Sequence, residues 1–172
     1  MPVAVSRRIE KLSECLDLSR HCNDKIYHNA GKLLRVYKSV RWRLSQSLDE
    51  MGDECMAVSS LSLKEALFNL LDLDTDLDKL NLEDRLKSLA VSRQLVEIID
   101  KSLIMLKTYP GSGERCFDII NKCFLLEYPY SENEILENLN ISRTTYYKQK
   151  KKAVSMLGVI LWGFLLPDLK AV

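Results

Sequence analysis

Residues 130–153 carry the most informative pattern of this protein, Tyr130-Ser-Glu-Asn-Glu-Ile-Leu-Glu-Asn-Leu-Asn-Ile-Ser-Arg-Thr-Thr-Tyr-Tyr-Lys-Gln-Lys-Lys-Lys-Ala153. Ser131 and Glu134 have the spacing of a capping box, which predicts a helix of about two turns from this point. Asn140 falls where the chain must turn sharply, and asparagine tolerates left-handed backbone better than most residues. Ser142 is placed to cap a second helix, so the pattern predicts two helices joined by a short turn.

Apolar residues in this stretch are spaced to form one small core between the two helices. They are Ile135, Leu139, Ile141 and Tyr146. Two short-linked helices with this inward pattern are typical of a helix-turn-helix, whose second helix enters the major groove of DNA. If Tyr146 faces inward, Arg143, Thr144 and Tyr147 face outward along the first turns of the second helix.

The outward residues of the second helix are of types that contact DNA. Arginine pairs with guanine through two hydrogen bonds, and threonine contacts a thymine methyl group or a phosphate. Ser142, Thr145 and the helix N-terminus are expected to bind phosphate oxygens, as are the lysines that follow. The predicted DNA-binding residues are Ser142, Arg143, Thr144, Thr145, Tyr147, Lys148, Lys150, Lys151 and Lys152.

Charge is distributed unevenly along the chain. Residues 139–172 contain six basic residues and one acidic residue, Asp168, whereas the whole chain has a net charge of +1. Residues 1–138 are therefore acidic overall. A basic cluster on an acidic body favours nucleic-acid binding, although a lysine run on a helix is more often only a solvated face.

These residues resemble a known family. The pattern Ser131-Glu-Asn-Glu-Ile135, then Leu139-Asn-Ile-Ser-Arg-Thr-Thr-Tyr-Tyr147, then Ala153-Val154 is similar to the C-terminal helix-turn-helix of phage transcriptional regulators of the autolysin-regulator (ArpU) type. Those regulators resemble region 4 of bacterial sigma factors, and the resemblance covers roughly residues 110–165. It implies a phage or prophage regulator that acts in the cytoplasm of a bacterial host, associated with the nucleoid.

Composition agrees with an all-α protein. The chain has 172 residues, of which 47% are hydrophobic, with only 6 Gly and 4 Pro. A β-sandwich or barrel needs many more turns than these residues supply. No secretory signal is recognisable at the N-terminus, and the longest apolar run, residues 159–166, is too short to cross a membrane. We therefore expect a cytoplasmic protein that has no membrane partner.

The N-terminal part is predicted to be helical. Apolar residues from Cys22 to Met51 recur at steps of three and four, which predicts one long amphipathic helix. Shorter helices are expected at 9–18 and from a second capping box at Ser62. A further helix starts near Asn81 and ends at Tyr109-Pro110-Gly111. The expected organisation is a helical packing or oligomerisation domain at 1–110 and a helix-turn-helix domain at 111–172.

The last helix continues as an apolar stripe beyond its basic part. Its apolar residues are Ala153, Met156, Leu157, Val159, Ile160, Leu161, Trp162, Phe164 and Leu165. Such a surface must be covered, either by the N-terminal helices or by a second copy of the chain, and we expect a homodimer that reads a symmetric operator. Basic residues on the 22–51 helix form either a second phosphate-binding surface or, more simply, a solubilising face.

Other chemistry is not indicated by the sequence. Acidic residues at 72–83 match several positions of an EF-hand loop, but Leu77 stands where the sharp turn needs glycine, which favours a plain connection between helices. The five cysteines lack metal-ligand spacing and are interpreted as reduced thiols that pack as small hydrophobes. No enzyme, metal site or cofactor is therefore expected. An alternative to DNA reading is a module that docks on RNA polymerase or another regulator.

Overall fold

The computed structural model describes residues 23–46 and 89–165. Within these ranges the chain is helical and contains no strand, which confirms the predicted all-α class. The α-helices are α1 (Asn23–Gln46), α2 (Leu89–Lys107), α3 (Gly113–Ile120), α4 (Glu132–Leu139) and α5 (Arg143–Ile160), and the π-helical turns are π1 (Asn121–Leu125) and π2 (Leu161–Leu165). The predicted helices at 9–18 and from Ser62, and the acidic segment 72–83, lie outside the described residues.

α1 carries the apolar spacing predicted for it. Five buried side chains of the predicted stripe recur every three or four residues, namely Ala30, Leu33, Tyr37, Val40 and Leu44. Leu34, which was not assigned to the stripe, is also buried and widens it. Ile26, also assigned to the stripe, is partly exposed. The predicted ends of the helix, Cys22 and residues 47–51, lie outside the described residues.

α2 ends at the predicted breaker sequence. The amide of Tyr109 donates to the carbonyl of Leu106 over 3.1 Å, and Gly111 adopts a φ of 85°, which proline and most other residues disfavour. The chain turns directly into α3 at Gly113. A Cβ atom at Gly113 would lie 2.3 Å from the Leu106 carbonyl oxygen, so the turn closes tightly only around glycine.

α5 packs at the centre of the described fold. One hydrophobic core joins residues of α1, α2, α3 and α5, and the α5 residues lie nine-tenths or more buried. The contributions from α5 and π2 are Ala153, Val154, Met156, Leu157, Ile160 and Leu161. Each large aliphatic side chain buried in this way contributes about 1.5–3 kcal/mol before the loss of conformational entropy is subtracted.

α1 and α5 approach each other closely at Gly158. A Cβ atom at this position would lie 2.3 Å from Ile26 Cγ2 and 3.4 Å from Ala30 Cβ. Small residues at a helix crossing let the two backbones approach more closely than larger residues allow. α1 therefore rests directly on the C-terminal half of α5.

This packing bears on two predictions. The apolar stripe of α5 is buried within one chain, so it no longer requires a second copy, and the homodimer stays a prediction without that support. Residues on both sides of Pro110 share one core. The division into domains at 1–110 and 111–172 also stays a prediction, because residues 1–22 and 47–88 lie outside the described residues.

The basic face of α1 is partly used within the chain. The Lys38 ammonium donates to the backbone carbonyls of Leu126 (2.9 Å) and Glu127, just after π1. Arg41 donates to the Tyr37 hydroxyl over 2.6 Å. The Lys38 contacts tie α1 to the segment that leads into α4, and the Arg41 contact lies within α1 itself. Part of the basic face therefore has a structural role.

Candidate nucleic-acid interface

α4 begins with the predicted capping box. The Ser131 hydroxyl oxygen accepts from the Glu134 amide over 3.4 Å, and the Ser131 amide donates to Glu134 Oε2 over 2.7 Å. The Ser131 hydroxyl also donates to this carboxylate, and these hydrogen bonds lower the pKa of Glu134. The capping box fixes where α4 starts after the extended segment that follows π1.

The turn between α4 and α5 has the predicted left-handed residue. Asn140 adopts φ 50° and ψ 52°. Its amide donates to the Glu137 carbonyl over 3.2 Å, and the next amide, that of Ile141, donates to the Leu136 carbonyl over 3.2 Å. This pair of bonds is a Schellman motif, which ends α4 and redirects the chain within three residues.

Ser142 starts α5 as predicted. Its side-chain oxygen accepts from the Thr145 amide over 3.2 Å, and the two hydroxyl oxygens lie 2.9 Å apart. The structure thus brings Ser142 and Thr145 together at the helix cap. Both had been assigned to phosphate binding, and in the described structure their hydroxyl groups bond to each other.

Tyr146 sets the rotation of α5 about its own axis. Its side chain is 3% exposed, and its hydroxyl lies 3.3 Å from the Cys123 Sγ atom of π1. Burial, followed by the hydrogen bond with Cys123, raises the pKa of Tyr146, so the phenol remains neutral at physiological pH. Ile135 of the predicted small core is also buried, whereas Leu139 and Ile141 are partly exposed.

With Tyr146 inward, a neighbouring face of the first turns is open to solvent. Arg143 and Thr144 are exposed, and the Tyr147 side chain is 51% exposed, as the helical spacing predicted. One end of this face meets α4 through a carboxylate that was not predicted to belong to the site. Glu132 Oε1 lies 2.6 Å from Arg143 Nε, and Glu132 Oε2 accepts from the Tyr147 hydroxyl over 2.7 Å.

Glu132 therefore holds two of the predicted base-contacting residues together. Its hydrogen bond and negative charge raise the pKa of Tyr147. The Arg143 side chain is 69% exposed, whereas that of Glu132 is 30% exposed and its Oε1 atom is buried. The arginine side of the ion pair is therefore the side that a competing phosphate could reach. The sequence signal for Glu132 was its place in the first helical turn, where an acid is ordinarily explained by the helix dipole alone.

The four predicted phosphate-binding lysines lie in three different environments. Lys148 and Lys152 are exposed. Lys151 Nζ lies 3.2 Å from Asp24 Oδ1 at the start of α1. Lys150 Nζ lies 5.4 Å from the centroid of the Phe124 ring and 5.5 Å from that of Tyr146, which places this ammonium over aromatic faces.

The cysteine interpretation is confirmed at Cys116. This side chain is free, buried and 3.7 Å from the Met156 sulfur, and burial raises the pKa of its thiol. Cys123 is also free and only partly exposed. The other three cysteines lie outside the described residues.

Comparisons with protein-family models, with curated proteins and with solved structures returned no match. In the described part of the chain, no helix has the length and apolar character needed to cross a membrane. The same residues contain no group of three His, Cys, Asp or Glu side chains placed to hold a metal ion.

Proposed function

We propose that this protein is a sequence-specific DNA-binding transcription regulator and that α5 reads the major groove with its N-terminal half. The observation that carries the proposal is the burial of Tyr146 beside the exposure of Arg143, Thr144 and Tyr147. Burial of Tyr146 holds α5 at one rotation, which keeps the three exposed side chains on the same outward face. A short capped helix before a second helix is the arrangement that lets such a face enter DNA.

Charge supports the same proposal. Lys148 and Lys152 are exposed on the helix that carries Arg143, and neither lysine forms an ion pair with another described residue. Ammonium groups beside a reading helix bind phosphates and fix its position on the duplex without reading sequence. α5 thus offers groups for base contact and groups for phosphate contact on one element.

The biological setting rests on the resemblance to autolysin-regulator-type phage proteins. On that ground we propose a phage or prophage regulator that acts in the cytoplasm of a bacterial host, on nucleoid DNA, with RNA polymerase as a further partner. The proposed role is that of a binding protein rather than an enzyme. A homodimer on a symmetric operator fits this role, since two half-sites increase both affinity and specificity.

A second candidate function is docking on RNA polymerase or on another regulator. Glu132 favours it, because this carboxylate already occupies Arg143 and Tyr147. Tyr128, which is 82% exposed just before α4, also offers an aromatic contact of the kind that protein partners use. In this case binding to a duplex would be weak and would lack sequence preference.

The experiment is a binding titration on two duplexes, one selected from a random library by the wild-type protein and one of scrambled sequence. Arg143→Ala should weaken binding to the selected duplex by about 1–3 kcal/mol and affect the scrambled duplex much less. Lys148→Ala should weaken both similarly and reduce the slope of log affinity against log salt by about 1. Arg93→Ala, which removes a cation paired within α2, is the matched control and should leave both unchanged.

Glu132→Gln tests whether DNA and the Glu132 carboxylate compete for Arg143, as the DNA-binding function requires. If DNA competes with Glu132 for Arg143, removing the carboxylate charge should tighten binding to both duplexes by about two- to fivefold, the range expected for an exposed ion pair. Folded Arg143→Ala and Lys148→Ala proteins that bind like the wild type would refute DNA reading and favour protein docking. Thermal melts of each variant establish that it is folded.

A further inference from the structure

A cleft separates the middle of α1 from π1 and α5. Its volume is about 230 Å³. Its lining includes Tyr27, Gly31 and Arg35 of α1, Phe124 of π1 and Lys150 of α5. Lys150 reaches the cleft from α5, the helix that also carries Arg143.

Two of the described residues that line the cleft, Arg35 and Lys150, are cationic. None of the described residues that line it is acidic. The side chains of Arg35 and Lys150 form no hydrogen bond or ion pair with another described residue. Two cations that share a concave site without a carboxylate create a local potential that favours an anion, and the field is stronger there than on an open surface.

Aromatic rings line the same space. Phe124 and Tyr27 both border the cleft, and Phe124 is close to the Lys150 ammonium, which lies 5.4 Å from the centroid of its ring. Ring faces beside cationic groups suit a ligand that has both an aromatic part and a negative charge. A simple inorganic anion would contact the cationic groups but would not pack against the aromatic rings.

Gly31 leaves the α1 side of the cleft open. It lies in the interior of a helix, where glycine is less favourable than alanine by about 0.5–1 kcal/mol. A Cβ atom at Gly31 would have no neighbouring atom within 4 Å, so the glycine is not required by packing. Any larger side chain at this position would project into the space that a ligand would fill.

From these three observations we propose that the cleft binds a small aromatic anion, with one ring against Phe124 and Tyr27 and a phosphate or carboxylate between Arg35 and Lys150. This proposal goes beyond the DNA-binding function and does not depend on it. The volume of about 230 Å³ accommodates a ligand with one ring rather than a dinucleotide.

The experiment is a calorimetric titration of the full chain with phenyl phosphate, beside phenol and inorganic phosphate as matched probes. We expect saturable binding at one site for phenyl phosphate, and affinity at least about tenfold weaker for each probe that lacks the ring or the charge. Arg35→Gln and Lys150→Gln should each weaken binding by about tenfold, the loss typical of a charged hydrogen bond.

Two further variants make the result specific to the cleft. Gly31→Leu should abolish binding while far-UV circular dichroism and thermal melting stay those of a folded helical protein. Lys101→Gln removes the same charge from an exposed position of α2 and should bind phenyl phosphate like the wild type. The proposal is overturned if phenol binds as tightly as phenyl phosphate, or if Lys101→Gln and Lys150→Gln lose affinity equally. It is also overturned if no saturable phenyl phosphate binding occurs up to about 10 mM, far above an ordinary ligand affinity.

Discussion

Replacing Gly158 with alanine tests the contact between α1 and α5 on which the fold depends. The chain offers a matched control, because Gly31→Ala makes the same change in the interior of another helix. Both substitutions gain helix propensity of about 1 kcal/mol. Only their surroundings differ, so subtracting one effect on unfolding free energy from the other isolates the tertiary contribution.

The expected difference follows from the neighbouring atoms. At Gly31 a new Cβ meets nothing within 4 Å, whereas at Gly158 it would lie 2.3 Å from Ile26 Cγ2 and 3.3 Å from the Ile26 carbonyl oxygen. Because isoleucine in a helix has one strongly preferred rotamer, its methyl group cannot simply swing away. Overpacking of this kind costs about 1–3 kcal/mol, so Gly158→Ala should be less stable than Gly31→Ala by about that amount.

The assay is urea unfolding followed by circular dichroism at 222 nm, a wavelength that reports helix, with unfolding free energies extrapolated to water. Gly31→Ala should unfold at a higher urea concentration than the wild type, and Gly158→Ala at a lower one. Ile26→Ala should relieve the clash, so the double variant with Gly158→Ala should be more stable than the sum of the single effects predicts. If Gly158→Ala stabilises the protein as much as Gly31→Ala does, α1 does not rest on α5 as described.

Two other predictions concern the start and end of α4. Asn140 occupies left-handed backbone, so Asn140→Gly should leave the free energy of unfolding unchanged or slightly higher. Asn140→Val should lower the free energy of unfolding, measured with urea, by about 1–2 kcal/mol. Equal stabilities of the two variants would contradict the Schellman motif. Ser131→Ala should lose about 0.5–2 kcal/mol at pH 7 through loss of the cap. Ser131 lowers the pKa of Glu134, so the stability from this pair is present above the unfolded pKa and is lost as pH falls through the folded pKa. Thermal melts should therefore show the gap between the wild type and Ser131→Ala narrowing toward about pH 3, below the ordinary glutamate pKa; a gap that widens there would reverse the sign of the argument.

Features that depend on neighbours along the chain could be predicted from the sequence. The capping box at Ser131, the left-handed Asn140, the Ser142 cap and the inward Tyr146 were all predicted and are all confirmed. Each follows from hydrogen bonds or side-chain spacing that span no more than about four residues, so local composition is sufficient to specify them.

Features that depend on distant segments could not be predicted. Lys38 was assigned to a general basic face, but it binds carbonyls 88 and 89 residues further along the chain. Glu132 was given no role from the sequence, although its carboxylate joins Arg143 to Tyr147. In both cases the packing of the helices determined which of the available partners the side chain contacts.

The apolar stripe of α5 illustrates the same division. Periodicity alone determined that Leu157 and Ile160 must be covered, because an exposed apolar surface of that size is unfavourable in water. Periodicity does not distinguish a helix of the same chain from a helix of a second copy, since both would remove the same area from water. The close approach at Gly158 decides in favour of α1 in the described fold, because the atoms of Ile26 and Ala30 occupy the space beside that glycine.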